Sequence, residues 1–438
     1  MMKKTFVMNH PGQSMDAVEG GFPNMPIDKT RAMELHRKAK GKIKMYPTIN
    51  INNPEDLGMA YIPGSVAPAL AIQEDPGLTY EYTGRGNRIA VITDGSAVLG
   101  LGDVGPHAAL PVIEGKCLIF KLFGDVNAIP ICLDCRDPED IIHFATSMAP
   151  GIGGINIEDI VSPRTFTIVR ELKSRVDIPV LCDDQHGTAV VALAGLWNAL
   201  EVTGKKLEEL AIVVNGAGAA GIAVTELLLS AGAKNVTVLN RSGILCESNP
   251  QMNHFQEELA LRTNQENKCG TLDNAIQGAD VFIGLSKGNL LTRDHVKSMA
   301  PDPIIFAMAL PEPEITPEEA YSAGASIVAT GLSDYPNTLP NLHSSPGIMR
   351  GLLDVRATVL NNEMLLAAAR SLAEVVDRRR LSPQKITPDV FSDEVSPRVA
   401  EAVGQTAIKL GYAQLLLPEG EIYNNLWDTL YGNKLMHH

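Results

Sequence analysis

The stretch "LAIVVNGAGAAGIAVTELLLSAGAKNVTVLNR" (Leu210–Arg241) decides the fold. An apolar run, AIVV, ends in Gly216-Ala217-Gly218-Ala219-Ala220-Gly221, and a run of helix formers follows at once. The order strand, Gly-rich turn, helix, strand is that of a dinucleotide-binding unit. Gly216 permits the tight turn, Gly218 the close approach of backbone to a pyrophosphate, and Gly221 close helix–strand packing. Ala219 and Ala220 open the helix, whose unpaired N–H groups face the phosphates. The second strand ends at Asn240, where NAD-binding chains commonly place an acid, and Arg241 follows. Loss of the carboxylate removes repulsion toward a 2′-phosphate, so the cofactor is NAD or NADP, with a lean toward NADP.

Working outward, "ADVFIGLS", "PIIFAMAL" and "ASIVAT" read as further strands separated by helix, which predicts a doubly wound Rossmann-type domain over 190–345. Upstream, "NRIAVITDG", "NAIPICLD", "GGINIEDI" and "IPVLCDD" read as strands that alternate with helices such as "GPHAALPVIEGKCLIFKLFG". That rhythm predicts an α/β substrate domain over 1–189 with a parallel sheet. The segment 346–438 reads as helical and is expected to pack back on the first domain. The fold class is therefore α/β throughout.

The totals fit this reading. The 438 residues suffice for two domains, with 45% hydrophobic and 20% charged residues. A formal charge of −14 argues against nucleic acid as a partner. No apolar run reaches the length of a membrane span, and "MMKKTFVMNHPGQSMD" lacks the apolar core of a signal peptide, so a cytoplasmic protein is expected. The six cysteines include one CxxC, Cys132 and Cys135, with no second pair; free buried thiols are expected there rather than zinc.

The strand ends carry the chemistry. Glu158-Asp159 closes one strand and Asp183-Asp184 another. Ligands collect at the carboxyl ends of strands in open α/β sheets. Several carboxylates converging there need a counter-ion, and oxygen-only ligation suits Mg²⁺ or Mn²⁺. Helix capping is the competing role, above all for Asp183. His186 is expected to make a structural hydrogen bond rather than to ligate. Lys116 lies in an otherwise apolar helix, where it is either a tuned base or a snorkelling surface lysine. Tyr61 in "MAYIPGSVAP" is equally open to a packing role.

Taken together these segments resemble the malic enzyme family in its short bacterial-type form. The resemblance rests on "AYIPG", "YTGRGN", "DGSAVLGLGDVGPHAALPVIEGK", "GGINIEDI", "DDQHGTAVVALAGLWNAL", "VVNGAGAAGIA" and "PGIMRGLLDVRA", in that order, from about Glu55 to Thr358. It implies oxidation of malate at C2 with hydride transfer to NAD(P)⁺, loss of CO₂ and protonation of the pyruvate enolate. It further implies Lys116 as general base, Tyr61 as general acid, Glu158, Asp159 and Asp184 as metal ligands, Asp183 as the group orienting Lys116, and a homodimer.

The chain departs from that pattern where substrate is bound. Leu310-Pro311 stands where the family usually has Asn-Pro, and Pro340-Asn341 where it usually has Asn-Asn. His343, Ser344 and Ser345 replace residues that are commonly apolar or aromatic, Asn127 replaces a common Asp, and Ser65-Val66 alter the surroundings of Tyr61. Leu310, Pro340 and Asn341 are the candidate substrate contacts, and Asn341 a cofactor contact as well. An amide–carboxylate hydrogen bond contributes about 1.5–3 kcal/mol. Its loss at Leu310 makes a less polar malate-like 2-hydroxy acid an alternative substrate. Two further alternatives remain: a non-redox lyase of the same family, acting on oxaloacetate or converting malate to lactate, and a non-catalytic nucleotide or metabolite sensor.

Overall fold

The computed structural model describes residues 28–432 apart from Ser333. The opening "MMKKTFVMNHPGQSMD" and the closing Met436-His437-His438 lie outside the described residues.

Two largely parallel sheets carry the chain. The first contains β1 (Arg88–Thr93), β2 (Asn127–Cys132), β3 (Gly154–Ile157) and β4 (Val180–Cys182), in the order β2-β1-β3-β4. Alternate residues of β1 serve opposite faces, as a two-residue period requires. Ile89 and Val91 share one core with Ile113 and Phe120 of the Gly105–Gly124 helix. Ala90 and Ile92 share another with Ile141 and Ile168 of the helices Pro138–Met148 and Arg164–Arg175. Covered on both faces, β1 is apolar without alternation.

The second sheet contains β5 (Ala211–Asn215), β6 (Asn235–Asn240), β7 (Gly243–Ile244), β8 (Val281–Gly284), β9 (Ile304–Ala307) and β10 (Ile327–Thr330). Its order is β10-β9-β8-β5-β6-β7, with only β7 antiparallel, to β6. The strand order reverses beside β5, so the Gly-rich turn leaving β5 lies at the topological switch point, where such sheets bind ligands.

The helix Thr188–Thr203 joins the two sheets. Its sequence, TAVVALAGLWNALEVT, is apolar on every side, and it is buried over most of its length. Of the closing helices, Ser345–Asp354, Val395–Lys409 and Glu421–Tyr431 pack on the Gly105–Gly124 helix. Asn362–Glu374 packs instead on Thr188–Thr203 and on the helix Ala219–Ser230. The tail thus returns to the first unit and also clamps the second.

Three early helices, Lys29–Ala39, Pro54–Ala60 and Val66–Glu74, contain no buried residue. Met45, Tyr46 and Met59 there are 97%, 76% and 74% exposed. The cysteines depart from expectation. Cys132 and Cys135 are free but only half-buried, whereas Cys246 and Cys269 form a disulfide across 23 residues. A pair so far apart leaves no spacing signal in the sequence.

His343 lies in the segment between β10 and the Ser345–Asp354 helix, buried, with its Nε2 3.3 Å from the Val390 carbonyl. Burial lowers its pKa to about 4, against the raising effect of the Val390 and Asp389 backbone. The unfolded chain therefore takes up a proton at about pH 6.5 that the folded chain refuses until about pH 4. Stability is expected to fall by up to about 3 kcal/mol as pH drops through that window. Urea midpoints measured at intervals across it check this, and His343→Asn is expected to flatten the dependence.

Candidate active site

Four acids and one lysine meet at the carboxyl ends of β3 and β4. β3 runs on into Glu158, whose N–H donates to the Ile92 carbonyl at 3.0 Å, extending its pairing with β1. Asp159 then takes a left-handed conformation, φ 53°, which Asp tolerates better than most residues. β4 ends at Cys182 and the chain enters a single π-type turn, Asp183–Gly187, ahead of the Thr188–Thr203 helix. Such wide turns recur at functional sites. A Cβ at Gly187 would overlap the Asp183 carboxylate, so the turn requires glycine.

The Gly105–Gly124 helix delivers Lys116 into this cluster. Its Nζ is 2.9 Å from Glu158 Oε1 and donates to Asp183 Oδ2. Asp183 is fully buried, and Ser345 Oγ donates to its Oδ1. Asn341 Nδ2 donates to Asp183 Oδ2 and to the Asp183 carbonyl, each at 3.3 Å. Asn156 Nδ2 holds Glu158 Oε2 at 2.7 Å, and the Asp159 N–H holds Asp184 Oδ2 at 2.8 Å. Oxygens of Glu158, Asp159 and Asp184 all lie within 4.8 Å of one another.

The electrostatics follow from burial. Desolvation, against the pull of Lys116 and with the push of Asp184 and Asp183, raises Glu158 to about 8. Desolvation and the Glu158 charge raise Asp159 to about 7; desolvation and the Asp159 charge raise Asp184 to about 7. For Lys116, burial pulls the pKa down, and the Asp183 and Glu158 carboxylates more than offset it, so the ammonium is held well above its ordinary range. Three oxygen donors at raised pKa, all facing one point, fit a hard divalent cation.

His186 does not join the donors. Its Nδ1 accepts from the Cys182 N–H at 3.0 Å and its Nε2 faces Lys173 at 3.3 Å. Burial and the Lys173 charge keep it neutral, as the structural reading expected.

The dinucleotide turn lies next door. Gly216 adopts φ 129°, Gly218 caps the Ala219–Ser230 helix, and a Cβ at Gly221 would overlap the Gly216 carbonyl. Ala219 and Ala220 form the first turn of that helix, which packs directly on the Asp183–Gly187 turn. The two centres are therefore neighbours. Asn240 ends β6 and Arg241 follows it in the tight connection to β7.

Not every expected residue joins the cluster. Tyr61 is 65% exposed, at the end of the Pro54–Ala60 helix, and among the described residues its hydroxyl bonds to no member of the acidic group. Leu310, three residues past β9, and Pro340, directly before Asn341, are half-buried, and among the described residues neither makes a polar contact with it. Sequence reading overlooked Glu314. This buried carboxylate accepts from the N–H groups of Ser286 at 3.2 Å and Ala309 at 3.0 Å, tying the ends of β8 and β9 just before Leu310. An isolated Glu seven residues after a strand carries no signal for such a bridge.

A Gly-rich turn at a switch point, packed against a lysine–carboxylate cluster, is the arrangement of a dinucleotide-dependent oxidoreductase. Comparison with known proteins narrows the class. Residues 38–143 match the family description "Malic enzyme, N-terminal domain", and residues 185–408 match "Malic enzyme, NAD binding domain". A "Bifunctional malic/malolactic enzyme" of Bacillus subtilis is 46% identical over 90% of this chain and 96% of its own. An "NAD-dependent malic enzyme" of Geobacillus stearothermophilus is 49% identical over 85% of this chain and 78% of its own. Among solved structures, a malic enzyme from Pyrococcus horikoshii superposes with TM-score 0.89 at 41% identity, covering 94% of this chain and 98% of its own. An NAD-dependent malic enzyme from Thermotoga maritima gives 0.83 at 47% identity, covering 85% and 98%. The chain belongs to the malic enzyme family, and it is an NAD(P)-dependent decarboxylating oxidoreductase.

The charge excess yields a stability prediction. Asp159 is penalised in the fold as pH rises from 3.8 towards about 7, and the penalty is complete above that. With divalent ions chelated at pH 8, Asp159→Asn is expected to stabilise the protein by about 1–3 kcal/mol. The gain should shrink as pH falls, and urea titrations at pH 8 and pH 5 would reveal it.

Proposed function

We propose that the chain oxidises L-malate to pyruvate and CO₂ with reduction of NAD(P)⁺, using a divalent metal held by Glu158, Asp159 and Asp184. The observation that carries this reading is Lys116 between Glu158 and Asp183, at the edge of an oxygen-only carboxylate triad. Bound Mg²⁺ or Mn²⁺ would polarise the 2-oxygen and, by taking up Glu158, lower the proton affinity of Lys116. Bound nicotinamide would accept the hydride from C2. Lys116 takes the proton of the 2-hydroxyl through Nζ. Asp183, fixed by Ser345 and Asn341, holds that nitrogen in place. Asn341, bonded to Asp183 and Thr188, is the proposed contact to substrate and nicotinamide.

Tyr61 is the proposed acid that protonates C3 after CO₂ has left. Its helix belongs to the apolar face that one chain leaves exposed. A second copy covering that face would take Tyr61 out of water, which supports a homodimer as the working form. The cytoplasm is the proposed compartment. Among the described residues no helix is long and apolar enough to cross a membrane.

A second reading keeps the chemistry and changes the acid. Leu310 and Pro340, half-buried where amides are usual, favour a malate analogue with a less polar substituent. Absorbance at 340 nm with Mn²⁺ and NAD(P)⁺ separates the two. Turnover of L-malate supports the first reading; turnover of a 3-substituted malate without L-malate supports the second. Lys116→Ala is expected to lower kcat at least 10³-fold with either acid. A variant that retains near-normal kcat would remove Lys116 from the role of base. Sedimentation is expected to give a dimer, and Met59→Glu to weaken it together with activity.

A further inference from the structure

We propose that the adenosine end of the cofactor site selects NADP over NAD through Arg241, and that Asn240 and Gln256 are positioning residues which hold Arg241 in register with the pyrophosphate turn. The inference rests on the Gly216–Gly221 turn as the dinucleotide site, and not on which acid is oxidised.

In an NAD site, the residue ending the second strand offers a carboxylate to the ribose hydroxyls. Asn240 holds that position and has nothing left to offer. Its Oδ1 accepts from the Ser242 N–H at 2.8 Å and from Asn249 Nδ2 at 3.1 Å. Its Nδ2 donates to the Gln251 carbonyl at 3.2 Å and to Gln256 Oε1 at 3.3 Å. Two lone pairs and two N–H groups exhaust a primary amide. A ribose hydroxyl would have to displace an internal partner, and no carboxylate is present to repel a 2′-phosphate.

Those internal bonds aim the hairpin tip beyond Asn240. Asn240 pairs with Gly243 across β6 and β7, which leaves Arg241 and Ser242 as a two-residue loop. Ser242 is anchored through Oγ to Gln251 Oε1 at 2.6 Å. Arg241 is exposed, is the one charged residue of this tip, and makes no ion pair among the described residues. Gln256, buried, joins the tip to the phosphate turn. Its Nε2 donates to the carbonyl of Ala217, between Gly216 and Gly218, at 2.8 Å, while its Oε1 takes the Asn240 amide. The Gly216 N–H donates to the Leu239 carbonyl at 2.9 Å, so turn and tip are neighbours through backbone as well. A guanidinium presents two parallel N–H donors to a phosphate monoester, a geometry that a ribose hydroxyl does not reward equally.

The test is direct titration of the purified full chain with NADPH and with NADH, followed by nucleotide fluorescence, with no acid substrate present. NADPH is expected to bind at least ten-fold tighter. Arg241→Ala is expected to lower that ratio ten-fold or more, and Arg241→Lys to restore part of it. Gln256→Ala is expected to lower it at least three-fold in a chain whose circular dichroism is unchanged. Equal affinities in the unaltered chain, or a ratio that Arg241→Ala leaves alone, would overturn the selectivity. A ratio unmoved in Gln256→Ala would overturn the coupling. A chain that selects NADPH yet oxidises no malate would contradict the proposed reaction alone, and one that oxidises malate equally well with both cofactors would contradict this inference alone.

Discussion

The ammonium of Lys116 faces four carboxylates, those of Glu158, Asp159, Asp183 and Asp184, in a region largely closed to water. Everything local is arranged to make that imbalance bearable. Asp183, fully buried, is satisfied by Lys116, Ser345 and Asn341. The other three carry the surplus, which is expressed as raised pKa values. Burying unpaired charge costs several kcal/mol per group unless the group neutralises or finds a cation.

The cluster also dictates how the two sheets meet. Its acids come from the two residues that follow β3 and from the wide turn that leaves β4 and opens the Thr188–Thr203 helix. The same turn touches the helix that begins at the dinucleotide fingerprint. Asn341 and Ser345 arrive from beyond β10 and bond to Asp183, so the last strand of the second sheet is tied to the chemistry of the first.

Much of this was legible in the sequence for local reasons. The fingerprint has its strand before it and its helix after it, so "VVNGAGAAGIA" announces a turn whose geometry needs only glycine and backbone. The acid pairs end apolar runs, and strand ends in α/β sheets gather ligands. What escaped notice was long-range. Ser345 stands 162 positions from Asp183, and Gln256 is 39 from Ala217, so only the folded chain brings them together. Cys246 and Cys269 pair across a segment without pattern. Asn240 was legible as the ribose position, but that its amide is consumed internally depends on Asn249, Gln251 and Gln256 folding back over it. Tyr61 shows a different limit. Motif matching marks it, yet a single chain leaves it on an exposed apolar face.

One divalent cation would balance the surplus carboxylates of Glu158, Asp159 and Asp184. Calorimetric titration of the chelator-treated protein with Mn²⁺ at pH 7.5 tests it most directly. One ion per chain is expected, with proton release on binding because Glu158, Asp159 and Asp184 must shed protons, and with loss of the signal in Asp184→Ala. Absence of binding, or binding that survives in Asp184→Ala with no proton released, would contradict it.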